Sequence, residues 1–145
     1  MVDHLIKEAD NIPASDIYVI AIGVNDIMFD NYSLSAKTPD EYTARLNDLT
    51  HRIKTKAPDA KLYFITPWTF HNQDDHYNLR ATDFRTALIN WCNGKGYNCI
   101  NPDPVLISVF EEKGTSDFMK DNFHPNAPNG VGLYSYAVLK AAHGR

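Results

Sequence analysis

Ile17-Tyr18-Val19-Ile20-Ala21-Ile22-Gly23-Val24-Asn25-Asp26 is the stretch that decides the fold of this chain. Its first six residues are apolar without alternation and rich in β-branched side chains. That is the pattern of a parallel strand covered on both faces, not of a strand with one wet side. Gly23 stops the run, and in parallel α/β sheets ligands bind beyond the carboxyl ends of the strands, so Gly23 to Asp26 is where a functional group is expected. Taken alone, the same four residues also read as a turn with a capping side chain.

On the upstream side, Val2, Leu5, Ile6 and Ala9 recur at the spacing of one buried helical face, which predicts a helix over 2–9. Downstream, Ile27 to Lys37 reads as an irregular loop. Thr38-Pro39-Asp40-Glu41 then carries a helix start: Thr38 as N-cap, Pro39 in the first turn and Glu41 closing a capping box. This helix is expected to run through Tyr42, Leu46, Leu49 and Ile53 to Lys56. Leu62 to Ile65 is a second strand, ending at Thr66-Pro67, and Trp68 to Tyr77 a loop dense in aromatics. A helix follows over 78–91 through Leu79, Phe84, Leu88 and Trp91, ended by Gly94 and Gly96. Next come a short strand near 97–100, an apolar segment Val105 to Phe110, a loop over 114–121, and a last helix over 129–142. In that helix Asn129 is the expected cap, and Val131, Tyr134, Val138, Leu139 and Ala142 the core face. The alternation of helix and strand predicts an α/β sheet sandwiched between helices, with the whole chain, 1–145, as one domain.

Composition narrows the function classes. With 145 residues, 43% hydrophobic and 22% charged, the chain is of ordinary globular make-up. A net charge of −4 and a pI near 5.8 leave no basic footprint for nucleic acid or anionic membrane surfaces. No apolar run reaches membrane-spanning length, and no signal peptide is legible after Met1, so the chain reads as soluble, with its compartment open. Cys92 and Cys99 flank a glycine-containing loop that could bring them together, but two thiols do not fix a redox compartment.

Near the C-terminus stands Asp121-Asn122-Phe123-His124-Pro125. A carboxylate three residues before an imidazole, with proline fixing the next φ, can hold one ring nitrogen and leave the other free to take a proton. Gly-x-Asn-Asp at a strand end and Asp-x-x-His-Pro before a terminal helix, in this order, resemble the SGNH hydrolases, also called GDSL-like lipases and esterases. The strand ending Phe64-Ile65-Thr66-Pro67 is similar to that family's next strand. The resemblance implies a three-layer α/β/α, flavodoxin-like parallel sheet and acyl-ester hydrolysis, including deacetylation of a carbohydrate or lipid ester. His124 would be the general base, Asp121 its orienter, and Asn25 an oxyanion donor, a group whose removal costs about 3 to 4 kcal/mol of transition-state stabilisation. Gly23 would let the backbone turn tightly. No cofactor and no metal are implied.

The chain departs from the family pattern in one respect that matters. The Gly-Asp-Ser block that carries the family's nucleophile is not in the sequence, nor is the glycine that follows the family's second strand. Of the serines present (Ser15, Ser33, Ser35, Ser108, Ser116 and Ser135), none follows a strand in that setting. The resemblance therefore implies a partial domain lacking the first two strands, with Ile17 to Ile22 left as an open edge that would pair with another chain. A cut or fragmentary polypeptide, or a second chain completing the sheet, would account for it, and a homo-oligomer or poor solubility is expected. The alternative is a catalytically inactive binding or assembly module.

Four further positions are candidates for substrate contact. Asp26 either binds substrate or caps its turn. Trp68, Phe70 and Tyr77 either form a platform for an acyl chain or sugar face or pack in the core. His71, Asp74, Asp75 and His76 cluster without matching a metal signature and read as a solvated loop. His4, His51 and His143 read as surface residues.

Overall fold

A computed structural model describes residues 1–69 and 75–144. Its elements are α1 (Val2–Glu8), β1 (Ile17–Ala21), α2 (Val24–Met28), α3 (Pro39–Lys56), β2 (Lys61–Ile65), α4 (Asp75–Lys95), β3 (Asn98–Ile100), α5 (Asp103–Lys113) and α6 (Asn129–His143). The three strands form a parallel sheet in the order β1-β2-β3, with Ile17 opposite Lys61, Ala21 opposite Ile65 and Ile65 opposite Ile100. All three carboxyl ends therefore open on the same side. No helix among the described residues is long and apolar enough to cross a membrane.

The helices are divided between the two faces of the sheet. Ile20, Leu62, Phe64 and Cys99 point to one face and share a core with α1, α3 and α4. On the other side, Leu106, Phe110 and Ala137 join α5 to α6, and α6 lies against β3. That second pair does not reach β1, where Ile17 and Val19 remain 55% and 62% exposed. The expectation that β1 is covered on both faces thus fails on one face. Its expected position at the sheet edge holds.

Local chemistry explains where the helices start and which faces they bury. Thr38 Oγ1 accepts from the Glu41 amide at 3.2 Å, while the Glu41 carboxylate reaches back to the Lys37 amide at 2.7 Å, one residue beyond the usual capping box. On α4 the buried residues are Ala81, Phe84, Leu88 and Cys92; Leu79 is exposed, so the face is turned from the one expected. Cys92 and Cys99 are buried thiols.

Two helices appear where none was expected. The region after Gly23 winds directly into α2, and the segment at 105–110 belongs to α5, whose first turn contains Asp103 and Pro104. On α6 the inward residues are Gly130, Leu133, Tyr134 and Ala137, whereas Val131, Leu139 and Ala142 face out. Gly130 sets that rotation: a Cβ there would fall 1.8 Å from the Phe118 carbonyl oxygen, so the backbones meet too closely for any side chain. Asn126, not Asn129, supplies the cap, its Oδ1 accepting from the Gly130 amide at 2.9 Å.

Candidate active site

The Asp121 turn is built by its own carboxylate. Asp121 Oδ1 accepts from the amides of Phe123 (3.0 Å) and His124 (2.7 Å), and Oδ2 lies 2.8 Å from His124 Nδ1. Those backbone donors, led by Phe123, together with the imidazole hold the Asp121 carboxyl down at about 2. An ionised carboxylate can only accept, so Nδ1 is the nitrogen that donates to it, and Nε2 has no hydrogen-bond partner among the described residues. The turn is tied at its ends by the Lys120 amide to the His124 carbonyl (2.8 Å) and the Asn126 amide to the Phe118 carbonyl (2.8 Å).

Gly23 lies at the end of β1 with φ +120°, a conformation L side chains rarely adopt, and a Cβ there would stand 2.9 Å from Tyr42 Oη. The Tyr42 hydroxyl donates to the Ile22 carbonyl at 2.9 Å and so buttresses the bend from behind. Asn25 and Asp26 follow on α2 and point to opposite sides. Asn25 is exposed, whereas Asp26 is fully buried, its Oδ1 accepting from the Ala36 amide (2.9 Å) and Oδ2 from the Val2 amide (3.2 Å). Burial raises the Asp26 carboxyl above its ordinary range even though both amides pull the other way. Neither role expected of Asp26 is seen: it does not line the cavity that Asn25 lines and does not cap its own turn, but ties the amides of Val2 and Ala36 instead.

Asn25 and His124 open on one cavity of about 460 Å³, walled by Gly23, Thr66, Pro67, Trp68, Phe123 and Tyr134 among others. The structure thus brings together Gly23, Asn25, Trp68 and His124, with Asp121 behind the imidazole. Asp26 and Tyr77 do not line this cavity; Tyr77 packs against the main core. Phe70, His71 and Asp74, and the side chain of Asp75, lie outside the described residues. His76 Nε2 is 3.1 Å from Asp30 Oδ2, and no group of three potential metal ligands is found among the described residues.

No serine is among the described residues lining the cavity. Ser35 is buried and donates to the Phe29 carbonyl, Ser33 is exposed on the loop after α2, and Ser15 lies at the opposite end of the sheet beside Asp16 and Pro58. The Thr66 hydroxyl is spent on Asn101 Oδ1 at 3.0 Å.

Two features were not anticipated from the sequence. Tyr134 is a wall of the cavity, its ring edge-on to Trp68 at 5.2 Å, although its spacing on α6 marked it as core. A buried clamp also holds the loop after β2. Asp103 accepts from the Thr69 amide (2.6 Å) and hydroxyl (2.7 Å) and pairs with Arg85 Nη1 (2.8 Å), which donates as well to the Pro67 carbonyl (3.1 Å). These partners are up to 34 residues apart, and no local pattern announces them.

The fold is that of a mixed α/β protein with a parallel sheet flanked by helices, and a carboxylate-held imidazole and a glycine bend followed by asparagine meet at the carboxyl ends of its strands. The chain belongs to the GDSL-like lipase/acylhydrolase family, whose model matches residues 3–128. Among solved structures it is similar to a protein described as a GDSL-like lipase from Parabacteroides merdae, with TM-score 0.84, 19% identity, and 99% of this chain and 69% of the other covered. It is also similar to an α/β hydrolase from the metagenome of Lake Arreo, Spain (TM-score 0.82, 20% identity, 99% and 68% covered). A catalytic mutant of an acetylxylan esterase from Geobacillus stearothermophilus gives TM-score 0.79 at 17% identity, with 97% and 67% covered. At these identities the likeness speaks for the fold. No curated protein matches.

Proposed function

We propose that this chain carries the base, its orienter and one oxyanion donor of an ester-hydrolysing site, and that the serine nucleophile comes from polypeptide outside this sequence. The observation that supports it is the cavity itself: His124 and Asn25 line it together, with Asp121 bonded to the imidazole, and no serine is among the described residues that line it.

In this reading the serine hydroxyl attacks the ester carbonyl and His124 Nε2 takes its proton. The Asp121 carboxylate stabilises the imidazolium, and the Asn25 amide donates to the carbonyl oxygen as it becomes negative. His124 returns the proton to the departing alcohol. Water then repeats the sequence on the acyl-serine, and the carboxylic acid leaves. Acetyl groups on a carbohydrate are the substrate class favoured here, from the likeness to acetylxylan esterases.

The test mixes the chain with a peptide carrying a Gly-Asp-Ser strand and supplies a fluorophosphonate probe and a short aryl ester. Labelling of the peptide serine, lost in His124→Ala, supports the proposal. Labelling of a serine in the chain alone overturns the claim about the nucleophile. Failure of the mixture to label or to hydrolyse speaks for a catalytically inactive binding or assembly module.

A further inference from the structure

Trp68 occupies an unusual position between two hollows. It packs on the main core and also on the smaller cluster of Leu106, Phe110 and Ala137. Together with Pro125 and Tyr134 it lines both the large cavity and an adjoining apolar pocket between α5 and α6, lined further by Leu106, Phe110 and Met119. That inner pocket has a volume of about 20 Å³, room for roughly one water. It shares Pro125, the residue after His124, with the large cavity.

The indole is not held by its own contacts alone. Residues 66, 67 and 69 around it are each fastened: Thr66 to Asn101, the Pro67 carbonyl to Arg85, and Thr69 through both its amide and its hydroxyl to Asp103. Asp103 is 4% exposed, so the clamp is largely shielded, and a loop fastened on both flanks cannot easily carry its side chain elsewhere. Tyr134 meets the ring edge-on at 68°.

We propose that Trp68 is the partition that sets acyl length at this site, and that the pocket behind it is a latent binding site for the tail of a medium-chain acyl group. With the indole in place, an acyl group entering beside His124 stops after a few carbons. With the indole removed, the tail continues between α5 and α6 against Leu106, Phe110 and Met119. The ligand class follows from the lining, which offers apolar surface and no charged side chain to a tail. The proposal rests on the ester-hydrolase reading for the class of head group, but its test does not require the serine.

The experiment is an NMR titration of the labelled chain with acetate and with octanoate, following the Met119 methyl as a reporter inside the inner pocket. In the wild-type chain octanoate should leave Met119 unmoved. In Trp68→Ala, octanoate should shift Met119 and bind at least about tenfold more tightly than to the wild type, because two methylenes moved out of water suffice for that factor. Acetate binding should not change. Adding Leu106→Trp to Trp68→Ala refills the pocket and should abolish the gain. Asp103→Asn, which loosens the clamp without enlarging the pocket, should give an intermediate gain, a response that general loss of packing would not confine to long chains.

A folded Trp68→Ala variant that binds octanoate no better, or a wild-type chain whose Met119 already responds to it, overturns the partition. If the serine-completed mixture hydrolyses esters and Trp68→Ala leaves its chain-length preference unchanged, the partition fails and the hydrolase reading stands. If nothing is hydrolysed while Trp68→Ala gains octanoate, the reverse holds.

Discussion

Replacing Gly23 by alanine tests how the bend that carries Asn25 is held. The structure sets two separate penalties. The backbone at φ +120° is a region essentially reserved for glycine, and holding a side chain there costs about 1–3 kcal/mol. The new Cβ would also meet Tyr42 Oη at 2.9 Å and Cζ at 3.2 Å. Tyr42 has nowhere to go: it is fully buried, its ring lies 5.1 Å from Phe84, and its hydroxyl is committed to the Ile22 carbonyl. Displacing that hydroxyl leaves buried polar groups unpaired, at a further cost of about 1–3 kcal/mol. The sum, about 2–6 kcal/mol, is a large share of the roughly 5–15 kcal/mol that stabilises an ordinary domain.

Urea unfolding followed by tryptophan fluorescence measures the loss, and a double-mutant cycle with Tyr42→Phe separates the two penalties. Once Tyr42→Phe has removed the hydroxyl, none remains to be displaced. In that background Gly23→Ala should cost about 1–2 kcal/mol less than in the wild type, a coupling well outside the roughly 0.5 kcal/mol within which independent sites add. Additive behaviour, or a Gly23→Ala cost under about 1 kcal/mol, would refute the buttress.

Two further outcomes follow from features of the turn and of the sheet edge. Because the Asp121 carboxyl is depressed to about 2 from an ordinary 3.8, its contribution is complete above about pH 4 and is lost as pH falls through 2. Amide signals of Phe123 and His124 should hold down to about pH 3 and move together with a midpoint near 2, and Asp121→Asn should abolish that transition. At the edge, Val19→Lys should reduce self-association in sedimentation velocity while changing stability by less than about 0.5 kcal/mol, since Val19 is an exposed residue on an unpaired edge; unchanged association would show that copies do not meet along β1.

What the sequence disclosed was what is local in the chain. The β1 run, the Thr38 cap and the Asp121 turn are each specified within a few residues, so propensity and tertiary structure agree there. Helix α2 stayed hidden because five residues carry no periodicity, and α5 because Asp103-Pro104 looks like a turn until its carboxylate is seen to be engaged by Thr69 and Arg85. The face of α6 was misjudged because hydrophobicity favours Val131 and Leu139, whereas the close approach of Gly130 to Phe118 dictates the rotation. The Asp103 clamp and the two-sided position of Trp68 arise from residues distant in sequence, which no window along the chain can join.

Consecutive residues of α2 do opposite work, and this has a mechanical consequence. Asp26 is anchored to the amides of Val2 and Ala36, while Asn25, about a third of a turn away, lines the cavity. The helix is thus a short lever with its fulcrum in the protein interior, and the aim of Asn25 is only as steady as α1 behind it. His124 hangs instead from a turn closed by its own carboxylate, independent of α1. Warming or solvent that loosens α1 would therefore blur the amide donor while the imidazole stayed in register, so the site would come apart from the oxyanion side first.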